Sequence, residues 1–383
     1  MRSIEAFAVF ASLAYAAASS AQTNDGNFRG WGYYVDATAP RAAAMGGAFV
    51  AVTDDASCLA WNAAGLTTLT KTDLQAGVLE RGSGSLGSGD IAQAQSAAGF
   101  VGGGGKLTKT IAFGAFLMQP HALDIDLQGA SGTSGFLRTT VTDGGFALAW
   151  SPLRALHLGV RLNVTHLEAQ GEYLQTASGA GIGASQASAQ SKLTGDAGVL
   201  LRVGEEASLG FSFTQGARWD ASRLSESLGG GAVSRQAFQI SSPSTLRGGA
   251  AFRPAPRLLL TAEADYVFLA RLGDTFLPVL QPARHGDYLL QSGIEARAGV
   301  EVSFPIRSAV SIQVRGGLES QAPAAFAFVG QGLPSGGSPF PGDPRRTVMT
   351  VGAGIETRAV HVDAAAALLG MRTVLTAGAG VRF

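Results

Sequence analysis

Taken two at a time, the side chains of this sequence separate into an apolar and a polar set over unusually long runs. Across Leu156–Thr165 one face reads His157, Gly159, Arg161, Asn163 and Thr165, and the other Leu156, Leu158, Val160, Leu162 and Val164. Gly293–Phe304 repeats the pattern, with Glu295, Arg297, Glu301 and Ser303 against Ile294, Ala296, Val300, Val302 and Phe304. In Ser311–Glu319 the polar set is Ser311, Gln313, Arg315 and Glu319, set against Ile312, Val314 and Leu318. A period of two marks β-strands with one face in apolar surroundings. Strands of a soluble sandwich usually end after about 5–6 residues. About ten residues tilted by about 45° is the length that crosses a bilayer, and several of these runs reach it.

Fourteen such runs are predicted, at 66–79, 94–103, 110–119, 137–151, 156–170, 191–203, 207–218, 244–254, 257–268, 290–304, 308–319, 347–357, 359–369 and 372–383. The count is even, as in single-chain bacterial barrels. Short turns fall at 151–154, 204–206, 254–256, 305–307 and 358, several of them carrying proline, which fixes φ and cannot continue a ladder. Longer connections fall at 120–136, 171–190, 219–243, 269–289 and 320–346. From the third strand onward long and short alternate, the outer-membrane pattern of tight periplasmic turns and long outside loops. The expected fold is all-β: a closed antiparallel transmembrane barrel with both chain ends on the periplasmic side.

Composition sharpens this picture. Glycine supplies 53 of 383 residues, about twice its usual ~7% share, and charged residues stand at 15% against a usual ~25%. Lys and Arg balance Asp and Glu at 28 each, so no nucleic-acid partner is indicated. No stretch is long and apolar enough for a membrane helix. The opening MRSIEAFAVFASLAYAAASSAQT has a basic start, an apolar core over 6–18 and small residues Ser19 and Ala21, the layout of a secretory signal peptide cut after Ala21. The lone Cys58 cannot form an internal disulfide.

Two further segments carry specific signals. The chain ends TAGAGVRF, with Gly378, Val381 and the terminal aromatic Phe383 in the arrangement of a C-terminal barrel-assembly signal, and this implies the outer-membrane insertion machinery as an assembly partner. Ahead of the strands lies RAAAMGGAFVAVTDDASCLAWNAAGL. It resembles the N-terminal signature of FadL/TodX-like outer-membrane proteins, which PorV/PorQ-type proteins share. The matching residues are Arg41, Met45, Gly46, Gly47, Ala48, Phe49, Asp54, Asp55, Ala56, Ser57, Trp61, Asn62 and Gly65; Ala63 stands where that signature has proline. The resemblance implies a small hatch folded inside the barrel, and with it a division into signal peptide (1–21), hatch or plug (22–65) and outer-membrane barrel (66–383). The residues suit that role. Gly46 and Gly47 allow close approach and unusual φ, Asp54 and Asp55 can meet lumen arginines, and Asn62 can satisfy backbone groups at a bend.

The polar faces place Arg161, Arg202, Arg247, Arg297 and Arg315 in the lumen with Asp196, Glu263, Asp265, Glu295, Glu301 and Asp363. A charge-selective pore would favour one sign; near balance points to ion pairs holding a plug. No catalytic or metal-ligating pattern emerges. The five histidines, at 121, 157, 166, 285 and 361, lack metal-ligand spacing, and no cofactor is indicated. A nominal G-x-G-x-x-G at Gly82, Gly84 and Gly87 lies in a Gly/Ser loop with no following helix. The outside loops carry apolar residues: Phe276, Leu277, Val279 and Leu280 in one, Phe326, Phe328, Val329 and Leu333 in the other. Such residues suit loop packing, a partner surface or a hydrophobic ligand groove. The resemblance implies the last, with passive uptake of long-chain fatty acids or hydrocarbons by a monomer in the outer membrane of a Gram-negative bacterium. In that family the ligand leaves sideways through a wall gap, and the run Gly102–Gly105 is the expected weak point. The shared signature equally admits a PorV-type scaffold that binds exported proteins at the cell surface.

Overall fold

The computed structural model describes residues 39–81, 91–129, 133–177, 180–227, 234–270, 288–307, 309–322, 326–328, 346–369 and 372–383. The first strands are β1 (Asp73–Arg81), β2 (Ile91–Lys106), β3 (Ile111–Gly129), β4 (Thr133–Trp150), β5 (Leu156–Ala177) and β6 (Ala180–Val203). They continue as β7 (Ala207–Thr214), β8 (Arg218–Ser227), β9 (Ser234–Ser241), β10 (Thr245–Ala255), β11 (Leu258–Val267) and β12 (Tyr288–Leu290). The last are β13 (Gly293–Arg307), β14 (Val310–Gln321), β15 (Phe326–Phe328), β16 (Arg346–Thr357), β17 (Val360–Leu369) and β18 (Arg372–Arg382).

All but β12 and β15 join one antiparallel sheet, which closes on itself because β1 pairs with β18 and β5 with β6. β7 and β8 are halves of one strand interrupted at 215–217, and β9 and β10 are halves of the next, interrupted at 242–244. The sixteen segments are therefore fourteen barrel strands, the number read from the alternation. At the double interruption Gly216 N donates to Ser244 Oγ and Ala217 N to Ser242 Oγ, each at 2.9 Å. Ser242 N donates to Ala217 O at 2.9 Å. The backbone groups released from the ladder are thus satisfied inside the wall, as a barrel in lipid requires.

The outward set forms a continuous apolar band. Phe146 and Leu162 are 62% and 57% exposed, and Val78, Val101, Leu193, Val351 and Leu375 are comparably open. An apolar surface this extensive marks a membrane-spanning barrel of the outer-membrane type.

The sense of the alternation reverses above the band. In β5, Arg161, Asn163 and Thr165 point inward and Leu162 and Val164 outward. Two residues later Leu167 and Ala169 are the buried set, and Glu168 and Gln170 are exposed. β4 mirrors it, with Leu148 and Phe146 outside followed by Thr142, Thr140 and Arg138. The strands continue past the bilayer with a water-facing exterior and an interior that mixes apolar Val141, Leu167 and Ala169 with polar His121 and Thr139. This corrects the sequence reading of 120–136, 171–190 and 219–243 as loops, which are mostly paired strand. Their reversed, Ala/Ser/Gly-rich pattern no longer resembles a lipid-facing strand, although the backbone ladder goes on.

Two other boundaries move. Ala63–Thr68 forms a 3-10 helix and β1 begins at Asp73, so the expected strand start at 66 is too early, and a buried helical turn occupies its place. The β-branched Thr67 and Thr68 imitate a strand, but Asn62 caps a helical turn there. The tight turns expected at 254–256 and 305–307 are partly strand, with register shifts between Phe252 and Ala255 and between Pro305 and Arg307 that absorb the prolines.

The reversal has a direct test. Leu162→Arg, in the lipid band, is expected to cost about 2–4 kcal/mol, and Gln170→Arg, outward but above it, no more than about 1 kcal/mol. Urea titration of vesicle-inserted protein measures both; equal costs would contradict a reversal at Thr165.

Candidate functional site: a plugged lumen and a cavity in its wall

The segment before β1 fills the lumen. It contains helix α1 (Pro40–Ala44), helix α2 (Cys58–Trp61) and the 3-10 turn. Pro40 starts α1, where a missing N–H costs nothing. Gly46 and Gly47 end it at φ 65° and 76°, a backbone region glycine adopts without strain. A Cβ on Gly46 would also stand 2.8 Å from the Leu318 carbonyl oxygen of β14.

The irregular backbone is satisfied by the wall and by itself. Phe49 N and Val50 N both donate to Glu263 Oε2 at 2.7 Å, and Ala56 N donates to Asp73 Oδ2 at 2.8 Å. Asn62 serves three groups: its Oδ1 accepts from Ala64 N, and its Nδ2 donates to Val50 O and Val199 O at 3.0 Å. Ala63 is the first residue of the turn that Asn62 caps. Proline fits such a position, so alanine there keeps the bend, which the asparagine holds. Gly65 packs against Thr53 and Cys58, with no room for a side chain. Cys58 itself is fully buried, and burial pushes its thiol up, away from reactivity.

Around the circumference, glycines on the inner wall receive the hatch. A Cβ at Gly299 would meet Met45 O at 2.7 Å, one at Gly249 would meet Val50 Cγ1 at 2.8 Å, and one at Gly114 would meet Leu59 Cδ2 at 2.8 Å. Gly159, Gly198 and Gly317 lie closer still against Ala64, Asn62 and Gly46.

The hatch has a charged side and an apolar side. On the charged side Arg41 grips Glu301 of β13 with two hydrogen bonds at 2.8 and 2.9 Å and also meets Asp54 at 2.5 Å and Asp55 at 2.8 Å. Arg315 bridges Glu301 and Asp363 at 2.7 and 2.5 Å. His361 sits between Asp363 and Asp73, 3.3 Å from each. Arg297 gathers Asp265, Glu295 and Glu319, and Arg161 holds Asp196 while donating to Leu59 O. Arg247 lies 3.8 Å from Asp265. Of the lumen arginines expected from sequence, Arg202 alone is exposed at the periplasmic mouth. Asp54 is partly exposed at the hatch surface, and against the desolvation its surroundings impose, Arg41 and Arg253 hold its carboxylate well below the usual carboxylate range. Burial likewise opposes the Arg41 guanidinium, yet Asp54, Glu301 and Asp55 outweigh it and raise its affinity for the proton.

On the apolar side Phe49, Leu59, Trp61 and Leu66 share one buried cluster with Phe100, Phe116 and Met118 of β2 and β3. The Phe49 and Trp61 rings stand 5.5 Å apart and tilted by 60°. Phe100 and Met118 also line a cavity of about 620 Å³ in the wall, with Ala76, Val78, Val101, Leu117 and Ala377 on its lipid-facing side. The cavity adjoins a bulge in β3, where the register against β4 shifts between Met118 and His121 and leaves Gln119 and Pro120 without β4 partners. The glycine run Gly102–Gly105 is not the gap. Pairing is continuous there on both sides, and Leu66, Leu74 and Thr72 pack against it. The discontinuity is in the next strand, where proline removes a ladder donor.

The other predicted residues lie apart from this site. Phe326 and Phe328 belong to β15, which pairs with β12 and ties the two long outer loops together. Phe276, Leu277, Val279, Leu280, Val329 and Leu333, the Gly82–Gly87 motif and the leader 1–21 fall outside the described residues. Gly378 faces inward against Pro40, and Val381 and Phe383 face lipid. Thr72 and Phe383 exchange backbone hydrogen bonds at 3.0 and 3.1 Å where the barrel closes. Among the described residues, no His/Cys/Asp/Glu group is arranged to hold a metal. Sequence reading missed the inner-wall glycines and the Pro120 bulge. Glycine at inward positions opposite apolar outward neighbours was the available signal.

The architecture defines an outer-membrane barrel closed by an internal hatch. Among solved structures it is similar to a Pseudomonas aeruginosa FadL homologue, at TM-score 0.67 and 12% identity over 90% of this chain and 98% of that one. It is also similar to the CymD monoaromatic hydrocarbon channel, at TM-score 0.61 and 12% identity over 90% and 97% of the two chains. A third similarity is to the Pseudomonas putida toluene transporter TodX, at TM-score 0.58 and 13% identity over 89% and 96%. No protein-family model matches the chain, and no curated protein matches it in sequence.

Arg41→Met would take the cation from Asp55 and leave Glu301 with Arg315 alone, and is expected to destabilise the protein by about 3–5 kcal/mol. Asp54, whose folded-state pKa is depressed, contributes stability in full above its unfolded value of ~3.9 and loses it as pH falls toward the depressed value. The stability gap between wild type and Asp54→Asn is therefore constant near neutrality and closes only in acid. Urea unfolding in vesicles over a pH series reads both effects; a gap already closing near pH 6 would contradict the assignment.

Proposed function

We propose that the protein takes up uncharged hydrophobic small molecules across the outer membrane of a Gram-negative bacterium, releasing them sideways through its wall. The observation that carries this reading is the apolar wall cavity beside the Pro120 bulge, set against a lumen that the hatch fills. With the axial path occupied by hatch and ion pairs, the wall offers the shorter apolar route. Above the lipid band Val141, Leu167, Trp219 and Ile240 supply buried apolar surface to the interior beside the polar His121 and Thr139, and this surface supports an apolar solute. CymD and TodX, which this chain resembles in fold, are described as a monoaromatic hydrocarbon channel and a toluene transporter.

The cavity lining includes Gln119 and Thr142 but no lysine or arginine to receive a carboxylate. That chemistry favours neutral hydrocarbons over long-chain fatty acids. The outer loops tied by β12 and β15 are the natural first capture surface, and β18, ending at Phe383, is the segment for the insertion machinery to read. A monomer suffices, since the closed barrel leaves no sheet edge to cover. The surface-scaffold reading rests only on the shared N-terminal segment.

Ala76→Phe with Ala377→Phe places two rings in the lipid-facing half of the cavity, away from the hatch. Uptake of labelled toluene into proteoliposomes is expected to fall about tenfold or more, as a binding loss of ~1.4 kcal/mol would produce. Heat-modifiable migration on gels serves as the folding control. Unchanged toluene uptake by the folded variant would overturn the lateral route.

A further inference from the structure

The periplasmic rim carries charge in a pattern that neither the hatch nor the uptake route uses. Lys109 lies in the β2–β3 turn, Arg154 in β4–β5, Arg257 in β10–β11, Arg307 at β13–β14 and Arg358 in β16–β17, and Lys71 lies beside the closure. All six are exposed. The buried lumen arginines Arg161, Arg297 and Arg315 all meet carboxylates, but none of these six pairs with one among the described residues. Lys71 Nζ donates to the Arg358 carbonyl at 3.0 Å. The β6–β7 turn is the exception, with Glu205 and Glu206. Because the whole chain has zero formal net charge, the positive rim reflects placement and not general basicity.

The apolar neighbours of these groups identify what they meet. Leu107, Leu153, Ile306 and Phe383 sit within two residues of the rim cations or beside the closure and are 58–68% exposed. Such side chains belong in the acyl layer, so the adjacent ammonium and guanidinium heads stand at the headgroup level with their stems along the hydrocarbon. A soluble acidic protein would seat on one arc of the rim. Cations spaced around almost the whole circumference fit a ligand that surrounds the barrel. We propose that the rim retains anionic phospholipids of the periplasmic leaflet, their phosphate oxygens taken by these lysines and arginines. This inference is independent of the uptake route, and its failure would leave that route untouched.

The test is electron paramagnetic resonance of the full chain in bilayers containing spin-labelled phosphatidylglycerol or phosphatidylcholine. In low salt the barrel is expected to immobilise phosphatidylglycerol about two- to fourfold more strongly, with the preference fading at several hundred millimolar salt as surface charges are screened. The variants K71Q/K109Q/R154Q and R257Q/R307Q/R358Q should each lose about half of that preference, whereas E205Q/E206Q should keep or increase it. Splitting the substitutions keeps the test usable if all six together prevent folding. Equal immobilisation of the two lipids by wild type, or a preference that both triple variants retain, would overturn the proposal. So would an absent lipid preference with salt-sensitive binding of soluble polyglutamate that the triple variants lose, which assigns the rim to an acidic soluble partner.

Discussion

An irregular chain segment inside a membrane barrel is tolerable only if every backbone polar group it carries finds a partner there, and this constraint organises the molecule. Glu263 takes two consecutive amides of the hatch, Asp73 takes a third, and Asn62 joins the hatch to itself and to the wall. These partners can reach because the wall presents glycine where the hatch approaches most closely, as at Gly299 and Gly249. Remove the glycines and the hatch cannot seat; remove the acceptors and it is seated with orphaned amides, each costing about 1–3 kcal/mol. Packing and polar satisfaction are here one requirement.

From this follows the asymmetry of the lumen. Most ion pairs gather where the hatch meets β11 to β17, with Arg161–Asp196 apart on β5 and β6, and the large apolar wall residues of the hatch cluster, Phe100, Phe116 and Met118, lie on β2 and β3. Buried ion pairs of this kind are weak sources of net stability but costly to break singly, so the Arg41–Glu301–Arg315–Asp363 chain fixes the position of the hatch more than it raises total stability. The apolar side has fewer such directional grips, the Arg161 bond to Leu59 O among them. Phe100 and Met118 belong both to the hatch cluster and to the wall cavity, so the part of the plug least constrained by geometry lies against the weakest part of the wall.

How far the sequence foretold this depended on which physical signal each part leaves. The lipid band imposes strict alternation, and the strands carrying it, such as Leu156–Thr165, were legible nearly residue by residue. Strand beyond the bilayer was not, because its exterior faces water and its interior holds both apolar and polar side chains. Leu167, Ala169 and Glu168 simply invert the rule, and Ala180–Ser191 has too little contrast to alternate. The hatch segment was recognisable from its motif, but its end was misplaced, since Leu66-Thr67-Thr68 reads as strand unless the capping by Asn62 is known. Arg161, Arg247, Arg297 and Arg315 were placed in the lumen by parity alone. Their partners on neighbouring strands, such as Asp196 opposite Arg161 and Glu301 opposite Arg315, depend on strand register, which no local pattern encodes. The gap was sought at the most glycine-rich strand, whereas there Leu66, Leu74 and Thr72 occupy the space glycine leaves.

The proposed lateral route requires that the hatch close the axial path. Ionic conductance in planar bilayers measures this most directly, comparing the wild-type barrel with a chain from which residues 39–68 have been removed. The wild type is expected to show no sustained conductance and the hatchless barrel steady open-pore currents. A wild-type barrel that conducts ions as freely as the hatchless one would contradict the closure on which the lateral route depends.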